Sequence, residues 1–141
     1  MSRRDLITMS DAEVQKYLNE QLTIIVISNG NNGFTHPMPM HFCVYADGAI
    51  GMTTYRKSQK VLNLQRDPRA SLLIESGENY DELRSVLIHA DTEIIDDSAA
   101  TAACMQACRA HSNAIKGVVP GAEEDDAFAI TAAQRASKRL V

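Results

Sequence analysis

The stretch from Leu22 to Tyr45, LTIIVISNGNNGFTHPMPMHFCVY, decides the fold class. Its first part, Leu22 to Ile27, is a β-branched run that predicts a buried strand. The segment from Asn29 to Gly33 is rich in residues that tolerate positive φ, which indicates a turn. The run from Phe34 to Tyr45 predicts a second strand. Two strands joined by so short a turn pair as an antiparallel hairpin.

The second strand contains Pro37 and Pro39, which cannot donate to a central ladder, so we expect it at an edge or a bulge of the sheet. Outward from the hairpin, the sequence predicts further strands at Ala49–Thr54, Ala70–Glu75 and Leu83–Ile95, and the beginning of another at Lys138–Val141. Predicted helices follow a capping box at Ser10–Glu13, and cover Val61–Gln65, Asp97 or Ser98 to about Lys116, and Glu123–Ala136. Hairpin-linked strands with few crossovers favour an antiparallel β-barrel with accessory helices.

The bulk composition is that of an ordinary globular protein. The 141 residues are 45% hydrophobic and 23% charged, which fits a single domain over residues 1–141. The formal charge of −4 argues against nucleic acid as the main partner. There is no apolar run as long as the roughly 20 residues of a membrane helix, and no secretory signal is visible. We therefore expect a cytoplasmic protein with no membrane partner.

The segment from Met52 to Lys60, MTTYRKSQK, is the most informative for chemistry. It lies between a predicted strand end and a predicted helix start, where free amides and the positive end of the helix dipole favour an anion. Ser58 adds a hydroxyl, and the cations of Arg56, Lys57 and Lys60 suit a phosphate monoester. Thr53 and Thr54 lie just upstream. The alternative is a solvated basic loop with an ordinary helix cap, and spacing alone does not exclude it.

Several motifs together resemble the pyridoxamine 5'-phosphate oxidase-like, FMN-binding split-barrel family. They are PMPMHF followed by a DG turn, GMTT, SQK, NLQRDPRASLLIE and GENYDELR, and the match as a whole covers about Ser10 to Asp96. The resemblance implies a six-stranded split β-barrel. It also implies a homodimer with two cofactors at the subunit interface, and a small-molecule substrate.

The resemblance also implies roles for individual residues. Ser58, Gln59 and Lys60 match the phosphate-binding loop, where Gln59 replaces a frequent arginine for which Arg56 or Lys57 would compensate. Thr53 and Thr54 match positions beside the flavin ring edge and ribityl chain. The strand that passes the flavin ring is matched by Pro39, Met40 and His41. The positions that reach the cofactor of the other subunit are matched by Arg84 and Ser85.

The family's true pyridoxamine phosphate oxidases end in a tryptophan-containing motif with an Arg-x-His pair. This chain has no tryptophan and no such pair, so that reaction is disfavoured. The chain resembles instead the short branch, whose members use FMN or the related deazaflavin coenzyme. Where the family continues its last strand, this sequence ends at Val141, so we expect either a C-terminal truncation or a different C-terminal region.

Four functions remain open at this stage. The leading hypothesis is an FMN-dependent oxidoreductase acting on an unidentified small molecule. The others are a deazaflavin-dependent reductase, a non-catalytic flavin-binding protein, and a barrel whose cofactor site has decayed. The flavin itself would perform the redox step, so no residue is required as a general acid or base. His41 is a candidate by position only, and the catalytic residues stay unassigned.

The three cysteines, Cys43, Cys104 and Cys108, are expected to be free thiols. Cys104, Cys108 and His111 have the i, i+4, i+7 spacing of one helical face, which is compatible with a metal site. The predicted helix is rich in alanine, however, and cysteines are common packing residues. The sequence therefore favours packing, and no metal site is predicted from it.

Overall fold

The structure is a computed structural model that describes residues 2–121, 124, 132 and 139–141. Its helices are α1 (Asp11–Glu20), α2 (Gln59–Arg66) and α3 (Ser98–Lys116), with a 3₁₀ turn at Tyr80–Glu82. The strands are β1 (Thr23–Asn29), β2 (Thr35–His41), β3 (Cys43–Val44), β4 (Ile50–Gly51), β5 (Thr54–Tyr55), β6 (Arg69–Ser76), β7 (Arg84–Asp91) and β8 (Arg139–Leu140).

Four strands form an antiparallel sheet in the order β2-β1-β6-β7. The predicted hairpin is confirmed as β1 and β2, with Gly33 at a φ of 83° in the turn. The two prolines of β2 lie on the edge strand, as expected, where their missing N–H groups leave no gap in a ladder. The fold is therefore mainly β with accessory helices, built around an antiparallel sheet.

The core lies on one face of this sheet. Ile24 and Val26 of β1 and Leu72 and Ile74 of β6 are buried there, and α1 covers them with Tyr17 and Leu18. The helix begins at the predicted capping box. The Ser10 hydroxyl accepts from the Glu13 N–H at 3.3 Å, and the Glu13 carboxylate accepts from the Ser10 N–H at 2.7 Å. These bonds satisfy two of the donors that a helix start leaves open.

Two predicted strands are divided in the structure. The run from Phe34 to Tyr45 separates into β2 and β3 around Phe42, which is completely buried. The predicted strand Ala49–Thr54 becomes β4 and β5, because β4 pairs with β3 whereas β5 pairs with β8. Among the described residues, the strands thus form one four-stranded and two two-stranded sheets. The large sheet has four strands and is not closed, so the described residues do not confirm the strand count of the six-stranded split barrel that the resemblance implied.

The C-terminal expectations are tested only in part. The predicted helix over Glu123–Ala136 falls outside the described residues except at two isolated positions. The predicted final strand contains β8, which pairs with β5. Among the helices that are described, none combines the length and the apolar character needed to cross a lipid bilayer.

Candidate functional site

Ser58 lies at the turn between β5 and α2 and is the N-cap residue of that helix. Its N–H donates to the Tyr55 carbonyl at 3.0 Å, and its own carbonyl accepts from the Val61 N–H at 3.1 Å. The Ser58 side chain makes no capping bond. Its Oγ lies 3.2 Å from Thr54 Oγ1 instead. Two hydroxyls therefore meet beside a helix start whose positive end is not capped by this serine.

Lys60 follows in the first turn of α2 and is only 9% exposed. Its side chain lines a cavity of about 760 Å³ together with Thr54. The walls are otherwise largely apolar, and they include Ile88 of β7 and Ile95. Cavities of roughly 300–1,000 Å³ are typical of small-molecule sites. The structure thus places a cation and a hydroxyl of the predicted loop in a cavity of suitable size.

Gln59, at the position where the family often has arginine, is directed along the helix. Its amide donates to Asn63 Oδ1 at 2.9 Å. Asn63 is completely buried and donates from Nδ2 to Ser28 Oγ on β1 at 3.0 Å. These bonds hold α2 against the end of the large sheet. Asn63 was not predicted as a functional residue, because nothing in the local sequence reveals its partner on β1, 35 residues earlier.

The other two cations of the loop lie in different surroundings. Arg56 forms a bidentate ion pair with Asp96, in which Nη1 donates to one carboxylate oxygen at 2.6 Å and Nη2 to the other. This pairing lowers the pKa of Asp96 and raises that of Arg56. Lys57 is exposed. Thr53, the remaining residue of the loop prediction, is half-buried between β4 and β5.

Pro39, Met40 and His41 form the end of β2, opposite Ile25, Ile24 and Thr23 of β1. Met40 is half-buried and packs against the core, whereas Pro39 and His41 are exposed. Since neighbouring residues of a strand point to opposite faces, Pro39 and His41 share the outer face of the sheet. Neither residue lines the cavity that contains Lys60.

Arg84 and Ser85 begin β7 and are exposed. Arg84 lies 4.9 Å above the Tyr17 ring, and the Tyr17 hydroxyl donates to the Arg84 carbonyl at 3.1 Å. Arg84 pairs with Ser76 at one end of β6, whereas α2 is bound to the opposite end of the sheet. Ser76 and Ala70 are six positions apart on β6, or roughly 20 Å at the usual rise. Within one chain, Arg84 and Ser85 therefore do not lie beside the loop from Met52 to Lys60.

The centre of the outer face of the large sheet is apolar, although no element of the described chain covers it. Ile25, Leu73 and Leu87 lie side by side across β1, β6 and β7. Leu87 is 59% exposed, and the other two are half-buried. A contiguous apolar patch of this kind is typical of an interaction surface.

The three cysteines are free thiols that come together between β3 and α3. Cys43 lies on β3, and Cys104 and Cys108 lie one turn apart on α3. Tyr45 interacts with Cys43 and Cys104, and burial raises the pKa of its hydroxyl above the ordinary value, so the hydroxyl stays a donor. His111, the third member of the predicted helical set, lies 2.8 Å from the Gln21 carbonyl instead.

This fold and sequence are similar to those of known proteins. The family model for pyridoxamine 5'-phosphate oxidase matches residues 10–138. A conserved hypothetical protein from Mycobacterium tuberculosis is 32% identical, with a TM-score of 0.79 over 94% of this chain and 78% of that one. No curated protein matches the sequence.

More distant solved structures share the fold. A FAD-binding protein from Mesorhizobium loti is 16% identical, with a TM-score of 0.62 over 94% of this chain and 86% of that one. An F420 reductase is 15% identical, with a TM-score of 0.58 over 89% and 86%. At these identities the likeness extends to the fold alone. The family model and the mycobacterial relative carry the assignment, and the chain belongs to the pyridoxamine 5'-phosphate oxidase-like family.

Proposed function

We propose that this protein is a flavin-binding oxidoreductase, with FMN as its cofactor and an unidentified small molecule as its substrate. The observation that carries the proposal is the placement of Lys60. Its ammonium-bearing side chain is 9% exposed and lines a largely apolar cavity at the start of α2. The phosphate of FMN is an anion that a lysine at this position, beside a helix start, can bind through a charge-assisted hydrogen bond.

The donors around Lys60 fit a phosphate monoester. Ser58 and Thr54 contribute two hydroxyls 3.2 Å apart, and the start of α2 contributes its dipole. Gln59 and Arg56 are held by Asn63 and Asp96, so their contribution to the phosphate is smaller than the sequence suggests. The loop therefore holds the cofactor tail mainly through Lys60, Ser58 and Thr54, with Lys57 adding an exposed positive charge.

The flavin, when bound, supplies hydride and electron transfer. The chain's own residues bind it, orient it and exclude water from it. Thr53 and Thr54 are assigned to the ring edge and the ribityl chain. The end of β2, Pro39 to His41, does not line the Lys60 cavity, and it is assigned to the ring on the family resemblance alone. No side chain is assigned as a general acid or base.

We further propose that the active form is a homodimer with the cofactor at the subunit interface. Members of the family are typically dimeric. The apolar outer face around Ile25, Leu73 and Leu87 supplies a surface for the second copy. Pairing through this face would also allow Arg84 and Ser85, at the end of the sheet opposite to α2, to contribute to a cofactor site. They would reach the cofactor held by the partner.

The remaining parts of the proposal follow from the same assembly. We propose that residues 1–141 form one flavin-binding domain of the family's six-stranded split-barrel type. The compartment is the cytoplasm, where a redox enzyme with free thiols is kept reduced.

The deazaflavin coenzyme is the second candidate cofactor, and the charge of the loop is the observation that favours it. Gln59 is neutral and Arg56 is paired with Asp96, so the loop offers less positive charge than a dianionic monoester attracts. The phosphodiester of the deazaflavin coenzyme carries a single negative charge. A neighbour of the same fold is an F420 reductase. Binding of a flavin without turnover would place the chain instead among non-catalytic flavin carriers.

The test is the double variant Lys60→Ala with Ser58→Ala, titrated with FMN by quenching of flavin fluorescence. Each lost charge-assisted contact costs roughly 1.5–3 kcal/mol, so we expect the affinity to fall at least about tenfold per contact. Lys16→Ala on α1, an exposed lysine paired with Glu20, is the matched control and leaves the affinity unchanged. Unchanged affinity in the double variant would remove these residues from the site. Parallel titration with the deazaflavin coenzyme decides between the two cofactors.

A further inference from the structure

All three cysteines of the chain converge on one point of the fold. The sequence contains only Cys43, Cys104 and Cys108, and their Sγ atoms all lie within 4.8 Å of one another. Cys43 is 3% exposed and Cys104 is completely buried, whereas Cys108 is half-buried. Residues 61 positions apart thus meet in a pocket that water barely reaches. Packing alone requires small side chains at these positions but does not require three sulfur atoms.

We propose that Cys43, Cys104 and Cys108 form a binding site for a thiophilic metal ion, namely Cu(I), held by three thiolates. Soft thiolate ligands select soft ions such as Cu(I) and zinc over hard cations. With a metal–sulfur bond of about 2.3 Å, three sulfurs around one ion lie about 4 Å apart. The observed sulfur–sulfur distances of up to 4.8 Å need to shorten by less than about 1 Å, which a small rotation of the side chains provides.

The number of ligands favours Cu(I) over zinc. Structural zinc sites are almost always four-coordinate. Within the part of the chain that the structure describes, no fourth cysteine, histidine, aspartate or glutamate joins the three sulfurs. Cu(I) is satisfied by three thiolates. The ligand set consists of sulfur alone, and two of its three members, Cys43 and Cys104, are buried.

Two of the three thiols share one hydrogen-bond acceptor. The Gly51 carbonyl lies 3.6 Å from Cys43 Sγ and 3.8 Å from Cys108 Sγ, so both thiols point toward the same spot on β4. Tyr45 covers that spot, because a Cβ at Gly51 would lie only 2.6 Å from the Tyr45 hydroxyl. The protons of these thiols pass to solvent when the sulfurs bind the ion as thiolates. The half-buried Cys108 provides the entry path.

The experiment titrates the full-length, fully reduced protein with Cu(I) under anaerobic conditions, against a chromogenic Cu(I) chelator. We expect one Cu(I) per chain, with the absorption of thiolate-to-copper charge transfer. X-ray absorption should show three sulfur neighbours at about 2.3 Å and no nitrogen. In competition at equal concentrations, Zn²⁺ should not displace Cu(I).

Variants separate this site from the helical set that spacing alone suggests. Cys43→Ser and Cys108→Ser should each weaken Cu(I) binding by about 100-fold or more, since loss of even an outer-shell partner costs roughly 10–100-fold. His111→Gln, on the same face of α3, is the control and should bind like the wild type. A thermal melt of Cys108→Ser, the variant at the least buried position, shows that the loss is not one of folding.

Four results would overturn the proposal. They are absence of Cu(I) binding by the reduced protein, full binding by Cys43→Ser, a nitrogen ligand that disappears in His111→Gln, and preferential binding of Zn²⁺. None of them bears on the flavin, because the proposed phosphate loop and the three cysteines share no side chain.

Discussion

The two faces of the large sheet carry similar residues but have different partners. On the inner face, Val26, Leu72 and Ile88 lie side by side and pack into the core beneath α1. On the outer face, Ile25, Leu73 and Leu87 occupy the same positions one residue along each strand, and no described element covers them. Successive side chains of a strand point to opposite faces of the sheet, so a continuous apolar run makes both faces apolar.

This difference separates what a single chain completes from what it leaves for another molecule. The inner face is closed by helices of the same chain, and its contribution to the free energy of unfolding is present in the monomer. In the proposed homodimer, the outer face would contribute to stability only when a second copy covers it. Stability and assembly can therefore be tested independently, with substitutions on opposite sides of the same strand.

The largest effect is expected for Leu72→Ala, with Leu73→Ala as its matched neighbour. Leu72 is 5% exposed within the core, so its truncation should lower the free energy of unfolding by about 2–5 kcal/mol. Leu73 is half-buried and should cost less than half as much at protein concentrations where the chain is monomeric. Urea denaturation followed by circular dichroism measures both. Equal losses of unfolding free energy in the two variants would show that both faces are covered to the same extent within one chain.

The next effect concerns assembly. Leu87→Asp places a carboxylate on the outer face at a side chain that is 59% exposed, so the monomer should keep its fold. Burial of an unpaired charge in an interface costs several kcal/mol, and the dimer dissociation constant should rise at least about 100-fold. Light scattering over a range of concentrations gives this constant. A wild-type protein that is monomeric at micromolar concentration would contradict the proposed homodimer.

The sequence predicts the sheet more completely than the site, and the reason is the range of the interactions. The β-branched run of β1, the turn at Gly33 and the prolines of β2 are local signals, and the antiparallel hairpin follows from them. That same run predicts a buried strand but does not show which face the chain itself covers. The division at Phe42 was also missed, because it depends on what that ring contacts in the core.

The candidate site shows the same limit. The cluster of Thr54, Ser58 and Lys60 was predicted because all three residues belong to one local loop. The pairing of Arg56 with Asp96 and the approach of Cys43 to α3 join residues 40 or more positions apart. Helical spacing placed His111 beside Cys104 and Cys108, and only the packing of β3 against α3 revealed the third sulfur.

The smallest predicted effect concerns the hydrogen bonds that join the end of α2 to β1 of the large sheet. Asp67, which follows α2, accepts hydrogen bonds from Arg69 Nε at 3.0 Å and from Asn29 Nδ2 on β1 at 3.0 Å. The Arg69 guanidinium, then Asn29, hold the pKa of Asp67 far below its usual value. The stabilisation is therefore complete above the unfolded-state pKa near 3.8 and is lost as the pH falls from there toward the folded-state pKa.

Asp67→Asn removes this dependence. The wild type should be the more stable protein at pH 7, and the difference in urea midpoint between the two should shrink steadily below about pH 4. Glu78→Gln, which removes one carboxylate from an exposed loop, reports the effect of net charge alone. If the difference in urea midpoint between wild type and Asp67→Asn stayed constant from pH 7 to pH 2, the carboxylate would not be held by Arg69 and Asn29. In that case the connection between α2 and β1 would rest on the buried Asn63–Ser28 bond and on the bond from Arg66 Nη2 to the Asn29 carbonyl.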